Sequence, residues 1–239
     1  MDATIKTYLD GIKDCGTGRF EMHRVLRQHH HVPPRPVADV RLDGGRLCLD
    51  FVNTIHDRYA LEVEDYLQQL QRFLEWCIRA GALHSDDNVH APRSARQRAA
   101  LMREVEGLRD HLHALFAARI DDVRAPADAV RGLDRLVHRA WAGQSLGADG
   151  RLHWRKDVRD ARLPLKRIVL DALDLLGSTP ASRLRRCANT SSCGWLFLDT
   201  SKNQRRRWCA METCGTIDKI RRYRHGSREA RARRDGLRG

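Results

Sequence analysis

The sequence has no long hydrophobic run. None of its 239 residues lies in an uninterrupted apolar stretch of eighteen, which is about the length that a membrane-spanning helix needs. The N-terminal stretch also lacks the apolar segment of a secretory signal. We therefore expect a cytoplasmic protein without a membrane partner, in which the cysteines are thiols rather than disulfides.

The short motifs that carry common enzyme chemistry are missing as well. The chain has no glycine-rich phosphate loop, no nucleophile elbow and no paired carboxylates at a metal-ligand spacing. Cys15 and Cys48 have no neighbouring base in the sequence that would mark a catalytic thiol. We predict that the protein is not an enzyme.

Acidic residues are scarce in the C-terminal quarter. Residues 183–239 contain sixteen Lys and Arg against five Asp and Glu, which accounts for eleven of the thirteen net positive charges. Fourteen of the sixteen are arginine, whose forked guanidinium suits phosphates and guanine edges. This excess indicates nucleic-acid binding. The alternative is a solubilising tail, and it applies best to Arg228 through Arg238.

Four of the seven cysteines lie in the same basic segment as two close pairs. Five residues separate the first pair, fifteen lie between the pairs, and four separate the second pair. Two such pairs can direct four thiolates at one point, so the spacing predicts one structural Zn²⁺. The alternatives are four buried thiols of an ordinary core, or disulfides. The predicted ligands are Cys187, Cys193, Cys209 and Cys214.

The chain around these pairs predicts a small finger of mixed α and β structure. Gly194 is expected to turn the chain, Trp195 to Leu198 to be extended, and Asp199 to Asn203 to turn again, as in a hairpin between the pairs. Residues 215–225 are expected to form a helix that buries Ile217 and Ile220. This order is typical of a treble-clef or zinc-ribbon finger. Its aromatic residues are expected to pack it, with base stacking by one of them as the alternative: Trp195, Phe197 and Trp208.

The same segment resembles the CGNR zinc finger of bacterial regulators. In that family the finger follows an N-terminal domain called ABATE, which is proposed to belong to stress-induced transcription regulators. Cys214-Gly215 matches the signature tetrapeptide, whereas Thr216-Ile217 replaces its Asn-Arg half. Arg221 or Arg222 would then have to make any nucleic-acid contact that the family makes through that pair. The residues that carry the resemblance are Cys187, Trp195, Phe197, Asp199, Ser201, Arg206 to Cys209, Met211, Cys214, Gly215 and Lys219.

The basic residues on either side of the second cysteine pair are the predicted nucleic-acid contacts. Three would lie at the end of the hairpin and four on the helix that follows the metal site. Each could neutralise a phosphate. They are Arg205, Arg206, Arg207, Lys219, Arg221, Arg222 and Arg224.

The rest of the chain predicts a mainly α-helical domain with minor β structure over 41–178. Residues 1–40 are expected to be poorly ordered, the finger to cover 183–226, and a basic tail to cover 227–239. Residues 46–54 alternate like a strand, and within them residues 49–54 resemble the opening of the ABATE domain. Apolar stripes predict helices over 64–80, from Ser94 to about 120, from Pro126 onward and over 163–176, with 152–154 as a short strand.

Asp50 and Asn53 are polar groups within an apolar stretch. They are expected to cap a helix or hold a turn. The alternative is a small-molecule pocket formed with Arg58.

From the finger, its basic residues and the helical domain together, we expect a zinc-dependent regulator that binds duplex DNA, with a helical domain that senses an effector or forms a homodimer. The alternatives are an RNA-binding module, or a small-molecule enzyme with a purely structural finger.

Overall fold

A computed structural model describes residues 35–56, 58, 63–85, 87, 89–90, 92–155, 160–178, 181–190 and 192–224. Most of the segment predicted to be poorly ordered and the whole basic tail lie outside these ranges. The predicted C-terminal boundary of the poorly ordered segment, residue 40, is too late. Val37 begins a 3-10 turn, Val37–Asp39, and both Val37 and Val40 are buried in the core.

Helices dominate residues 41–178, as predicted. Helix α1 covers Leu47–Val52, α2 Leu70–Arg79, α3 Ala95–Ile120, α4 Ala127–Ala142 and α5 Leu163–Ser178. Two antiparallel pairs add the minor β structure: β1 (Ile55–His56) with β2 (Glu64–Asp65), and β3 (Gln144–Leu146) with β4 (Leu152–Trp154). No helix of the described ranges is long and apolar enough to cross a membrane.

The long helix α3 is the centre of the domain. Ser94 caps it as predicted, and the Ser94 and Gln97 side chains each accept a hydrogen bond from the other residue's backbone N–H. Its buried stripe, which includes Leu101, Leu108 and Leu112, packs against α4 and α5. Gly132 of α4 lies against His111, where a larger residue would collide with the imidazole.

Residues 47–52 form helix α1, although the alternation over 46–54 predicted a strand. The alternation of apolar and polar residues did not indicate the correct secondary structure. Nearly all of α1 is buried, so its apolar residues follow no pattern with an exposed face. Asp171 of α5 accepts a hydrogen bond from the Cys48 N–H at 2.8 Å and caps the first turn of α1. The Cys48 N–H at the start of α1 therefore has its hydrogen-bond partner on another helix, α5.

The helix predicted over 64–80 is shorter than expected. Residues 64–65 form β2 instead, because Asp65 pairs with the buried Arg109 of α3 at 2.5–2.7 Å. Within α2, Trp76 is fully buried, while Ile78 is 63% exposed.

The finger consists of one hairpin and one helix. Strand β5 (Leu184–Arg186) pairs with β6 (Leu196–Leu198), followed by a π-helical turn, Met211–Gly215, and by helix α6, described over 216–224. The predicted hairpin between the cysteine pairs was therefore wrong. The partner of β6 lies upstream of the first pair, and the first pair occupies the hairpin loop.

Hairpin β5–β6 shares one hydrophobic core with the helical domain. Leu184, Leu196 and Phe197 belong to the same buried cluster as Phe51 of α1 and Leu108 of α3. The backbone N–H of Leu198 donates to the Gly44 carbonyl at 2.8 Å, so the outer edge of β6 is held by the segment that precedes α1. Gly45 has a φ of 78° beside this contact, a backbone conformation that favours glycine.

Candidate metal centre and nucleic-acid interface

The four cysteines approach one point from two turns of the finger. Cys187 directly follows β5. Cys193 lies three residues before β6 and is followed by Gly194, whose φ is 66°. Cys214 lies within the π-helical turn and Cys209 just before it. The Ala188 N–H donates to the Arg207 carbonyl at 2.8 Å and holds the two turns together.

The spacing of the sulfur atoms fits a tetrahedral zinc ion. All four Sγ atoms lie within 4.8 Å of one another, and Cys209 Sγ is 3.7 Å from both Cys193 Sγ and Cys214 Sγ. Zinc–sulfur bonds of about 2.3 Å in a tetrahedron place the sulfurs about 3.8 Å apart. The cysteines are at most 3% exposed, so the site is closed to solvent, as in structural zinc centres. Bound zinc would crosslink the two turns.

The titration of the cysteines is coupled through these contacts. Hydrogen bonds from Cys187, Cys193 and Cys209 hold the pKa of Cys214 below its ordinary value. Contacts with Cys187, Cys209 and Cys214 raise the pKa of Cys193. Four sulfurs this close can all be thiolates only when a cation shares the site.

Arg41, from the segment before α1, reaches the metal centre. Its guanidinium lies 4.8 Å from the Trp195 ring centroid, hydrogen bonds to Thr213, and has one nitrogen 4.0 Å from Cys209 Sγ. Asp43 pairs with it at 2.9 Å. A zinc ion with four thiolates carries a net charge of about −2, so a half-buried cation against a ligand sulfur stabilises the site.

Asp199 organises the loop between the cysteine pairs. Its carboxylate is fully buried and accepts hydrogen bonds from the Ser201 N–H at 3.0 Å, the Ser201 hydroxyl at 2.5 Å and the Arg206 N–H at 2.9 Å. Burial raises the pKa of Asp199, but these bonds and the charge of Arg185 outweigh it, and the pKa lies below its usual value. The carboxylate is therefore an ionised anchor for the loop.

Arg206 was predicted as a nucleic-acid contact, but the structure places its side chain inside the finger. The guanidinium lies 4.8 Å from the Phe197 ring centroid and donates to the carbonyls of Trp208 and Cys209. Phe197 and Trp195 are almost fully buried, so they pack the finger and are not available for base stacking. Trp208 is half-buried, with the Arg207 guanidinium 5.0 Å from its ring centroid.

The six other predicted contact residues are exposed. Arg205 and Arg207 lie on the loop before the second cysteine pair, and α6 carries the remaining four. Arg222 also pairs with Asp218 one turn earlier at 2.6 Å. Ile217 and Ile220 are 43% and 46% exposed, so the prediction that they are buried was wrong. The residues on α6 are Lys219, Arg221, Arg222 and Arg224.

The residues of the predicted pocket are buried and hydrogen bonded within the protein. Asn53 donates to the Leu196 carbonyl at 2.8 Å and accepts from the Leu196 N–H at 2.9 Å, so it holds the hairpin of the finger. Arg58 donates to the Val52 carbonyl at 3.1 Å. Asp50 accepts from the Gly44 N–H at 2.7 Å, which holds the turn before α1. These contacts match the expected turn-holding role; the small-molecule pocket stays a prediction.

Asp50 has a perturbed ionisation. Burial raises its pKa to about 7, the charges of Asp43 and Asp171 act in the same direction, and the hydrogen bond from Gly44 opposes them. Its stability contribution therefore depends on pH within the physiological range.

Sequence reasoning missed Arg41, the anchoring role of Asp199 and the buried pair of Arg109 with Asp65. Arg109 is fully buried and also donates to the Thr54 hydroxyl at 3.0 Å. A signal was present for Arg109, because it lies beside Leu108 and Leu112 on the apolar stripe of α3. Arg41 gave no such signal, since it lies 168 residues before Cys209.

Comparison with known families agrees with this geometry. Residues 183–226 match the family model described as "CGNR zinc finger". Residues 45–179, more than half of the chain, match the ABATE model, described as "Putative stress-induced transcription regulator". A search of curated proteins found no match. The helical domain and the four-cysteine finger behind it thus follow the order of these two families, and the chain belongs to the ABATE family, with a CGNR zinc finger at its C-terminal side.

Proposed function

We propose that the protein is a transcription regulator that binds duplex DNA through its zinc finger. The observation that carries the proposal is the position of α6. The helix begins two residues after the last predicted metal ligand, Cys214, so bound zinc would fix its direction, and it exposes four cations to solvent. A rigid cationic helix is a common way of contacting phosphates and base edges in a groove.

Charge distribution supports the same function. Most of the net positive charge lies in residues 183–239, and the exposed cations Arg205, Arg207 and those of α6 belong to that segment. Because the finger shares its core with the helical domain, a change in that domain can alter the position of α6. This supports a regulatory role for the helical domain.

A specific feature supports dimerisation rather than effector sensing. Leu146 and Leu152 lie opposite each other in the β3–β4 ladder, and they are 72% and 60% exposed. An exposed apolar pair on a short hairpin could be covered by a second copy, which would double the DNA contacts. Sedimentation of the wild type and of Leu146→Lys tests this: a dimer that the substitution dissociates supports it, and a monomeric wild type refutes it.

The proposed DNA binding is tested with random duplex DNA, single-stranded DNA and RNA over a salt series. The full chain is the right material, because removing the finger would expose the residues of the helical domain that share its core, such as Phe51 of α1 and Leu108 of α3. We compare the wild type with Arg221→Gln/Arg222→Gln. The matched control is Arg131→Gln/Arg135→Gln, which removes the same charge from exposed positions of α4.

We expect duplex binding that weakens steeply with salt. The Arg221/Arg222 variant should reduce the slope of log K against log salt by about 1.8, about 0.9 for each lost phosphate contact, while the α4 variant keeps the slope. Preference for single strands would favour the RNA-binding alternative. Equal binding by both variants would show that the contact surface does not include Arg221 and Arg222 of α6. If the protein binds no nucleic acid, the proposal is refuted.

A further inference from the structure

The outer face of α6 is apolar in its centre and basic at its edges. The helix advances about 100° per residue, which places Gly215 and Asp218 on one side. The Arg222 side chain extends from the end of this side into solvent and is 63% exposed. Gly215 is buried and the Asp218 side chain is 24% exposed, so this side faces the body of the finger.

The opposite side carries Thr216, Ile217, Ile220 and Tyr223. Ile217, Ile220 and Tyr223 are 43%, 46% and 76% exposed. Burying an isoleucine side chain is worth about 1.5–3 kcal/mol. Two isoleucines and a tyrosine exposed on one short helix therefore indicate a surface that becomes covered when a partner binds.

The cations that flank this stripe identify the kind of partner. Lys219 projects on one side and Arg221 on the other, with Arg224 at the end of the stripe. A second copy of the helix would bring these like charges together. A polyanion would pair with them, and only a polyanion with an accessible apolar feature would also cover the isoleucines.

Duplex DNA has both features in its major groove. Phosphates line the two edges, and the C5-methyl group of thymine projects into the floor, where apolar side chains contact it. The groove is about 12 Å wide, and a helix with its side chains is about 10–12 Å across. The arrangement on α6 matches this cross-section: cations toward the edges and isoleucines toward the floor.

We propose that the outer face of α6 enters the major groove and that Ile217 and Ile220 contact thymine methyl groups, which makes them specificity-determining residues. This inference rests on the proposed DNA binding and adds the feature that is recognised. The finger would then prefer sites with thymine at the positions that face the two isoleucines. Lys219 and Arg221 contribute affinity for any sequence, because they contact phosphates.

The test begins with selection of preferred sites from a random duplex library by the full-length wild type and by Ile217→Ser/Ile220→Ser. Serine has a helix propensity close to that of isoleucine, so α6 is expected to persist. Zinc content and unfolding free energy are checked for each protein. Ile78→Ser is the matched control, because Ile78 is an exposed isoleucine on α2, a helix that is not part of the finger.

The second measurement changes the DNA instead of the protein. In the selected site, each thymine is replaced in turn by deoxyuridine, which lacks only the methyl group. We expect wild-type affinity to fall about fourfold for each methyl group that an isoleucine covers. The double serine variant should be insensitive to the same replacement, and the Ile78→Ser protein should behave like the wild type.

The outcomes separate this inference from the proposed function. Duplex binding with no effect of deoxyuridine and no change of base preference in the serine variant would refute methyl recognition and leave DNA binding intact. Loss of a dimer in that variant, with unchanged base preference, would instead assign the face to an interface between copies and refute the inference. A protein without duplex binding would refute both.

Discussion

Asn53→Ala should weaken the whole protein, because Asn53 joins the helical domain to the zinc finger. The Asn53 side chain makes two hydrogen bonds to the backbone of Leu196, at 2.8 and 2.9 Å, across 143 residues of sequence. Both residues are at most 2% exposed. Truncation to alanine leaves the N–H and the carbonyl of Leu196 buried without these partners, and water cannot easily replace them.

The size of the effect follows from those two orphaned groups. A buried backbone donor or acceptor that loses its partner costs about 1–3 kcal/mol, and we expect a net loss of about 3 kcal/mol. The hydrogen bond from Leu198 to Gly44 at 2.8 Å and the double ion pair of Arg186 with Asp121 at 2.9–3.1 Å remain. The finger should therefore stay attached, but with a lower free energy of unfolding.

Urea denaturation of the zinc-loaded protein measures this loss. Circular dichroism follows the helices, and a zinc-sensitive dye follows release of the metal. If the shared core makes one cooperative unit, both transitions should shift together in Asn53→Ala. Asn203→Ala is the matched control, because Asn203 is an exposed asparagine of the finger loop.

One result would refute this reasoning. If Asn53→Ala unfolds within about 0.5 kcal/mol of the control, which is the usual range for surface substitutions, the two bonds do not couple the finger to the helical domain. A shift in zinc release without a shift in helix unfolding would show that the finger unfolds independently and that the core is divided.

Three further substitutions test other parts of the structure. Cys209→Ser should reduce zinc content below one equivalent with most helicity retained, since α3, α4 and α5 pack on one another; zinc retained at one equivalent would remove the four-cysteine assignment. Asp65→Asn should cost about 3–5 kcal/mol by leaving the buried Arg109 without its counter-charge, and a loss under 1 kcal/mol in thermal unfolding would contradict that role. Asp50 has a pKa of about 7 in the folded protein and 3.8 ordinarily, so between these values the folded state binds more protons and stability falls as pH rises. Asp50→Asn should remove that fall, worth up to about 4 kcal/mol, and an unchanged pH profile of unfolding would show that the carboxyl is not perturbed.

Sequence by itself determined the features that depend on local chemistry. Four cysteines at short spacings predict a metal site whatever surrounds them, because the ligand atoms lie on two tight turns. The capped start of α3 at Ser94 was also predictable, since a cap needs only neighbouring residues. The excess of arginine after residue 183 needs no structure at all.

Only tertiary structure decided which faces are covered. Periodicity marks Ile217 and Ile220 as one side of α6 but cannot say whether a partner lies there, and in this fold that side faces solvent. Residues 47–52 became a helix because Asp171, more than 100 residues away, caps it and the core surrounds it. Arg206 carries the same charge as its neighbours, yet its guanidinium donates hydrogen bonds to the carbonyls of Trp208 and Cys209 within the finger. Composition shows how many cations the chain has, and the folded structure decides which of them remain exposed to solvent.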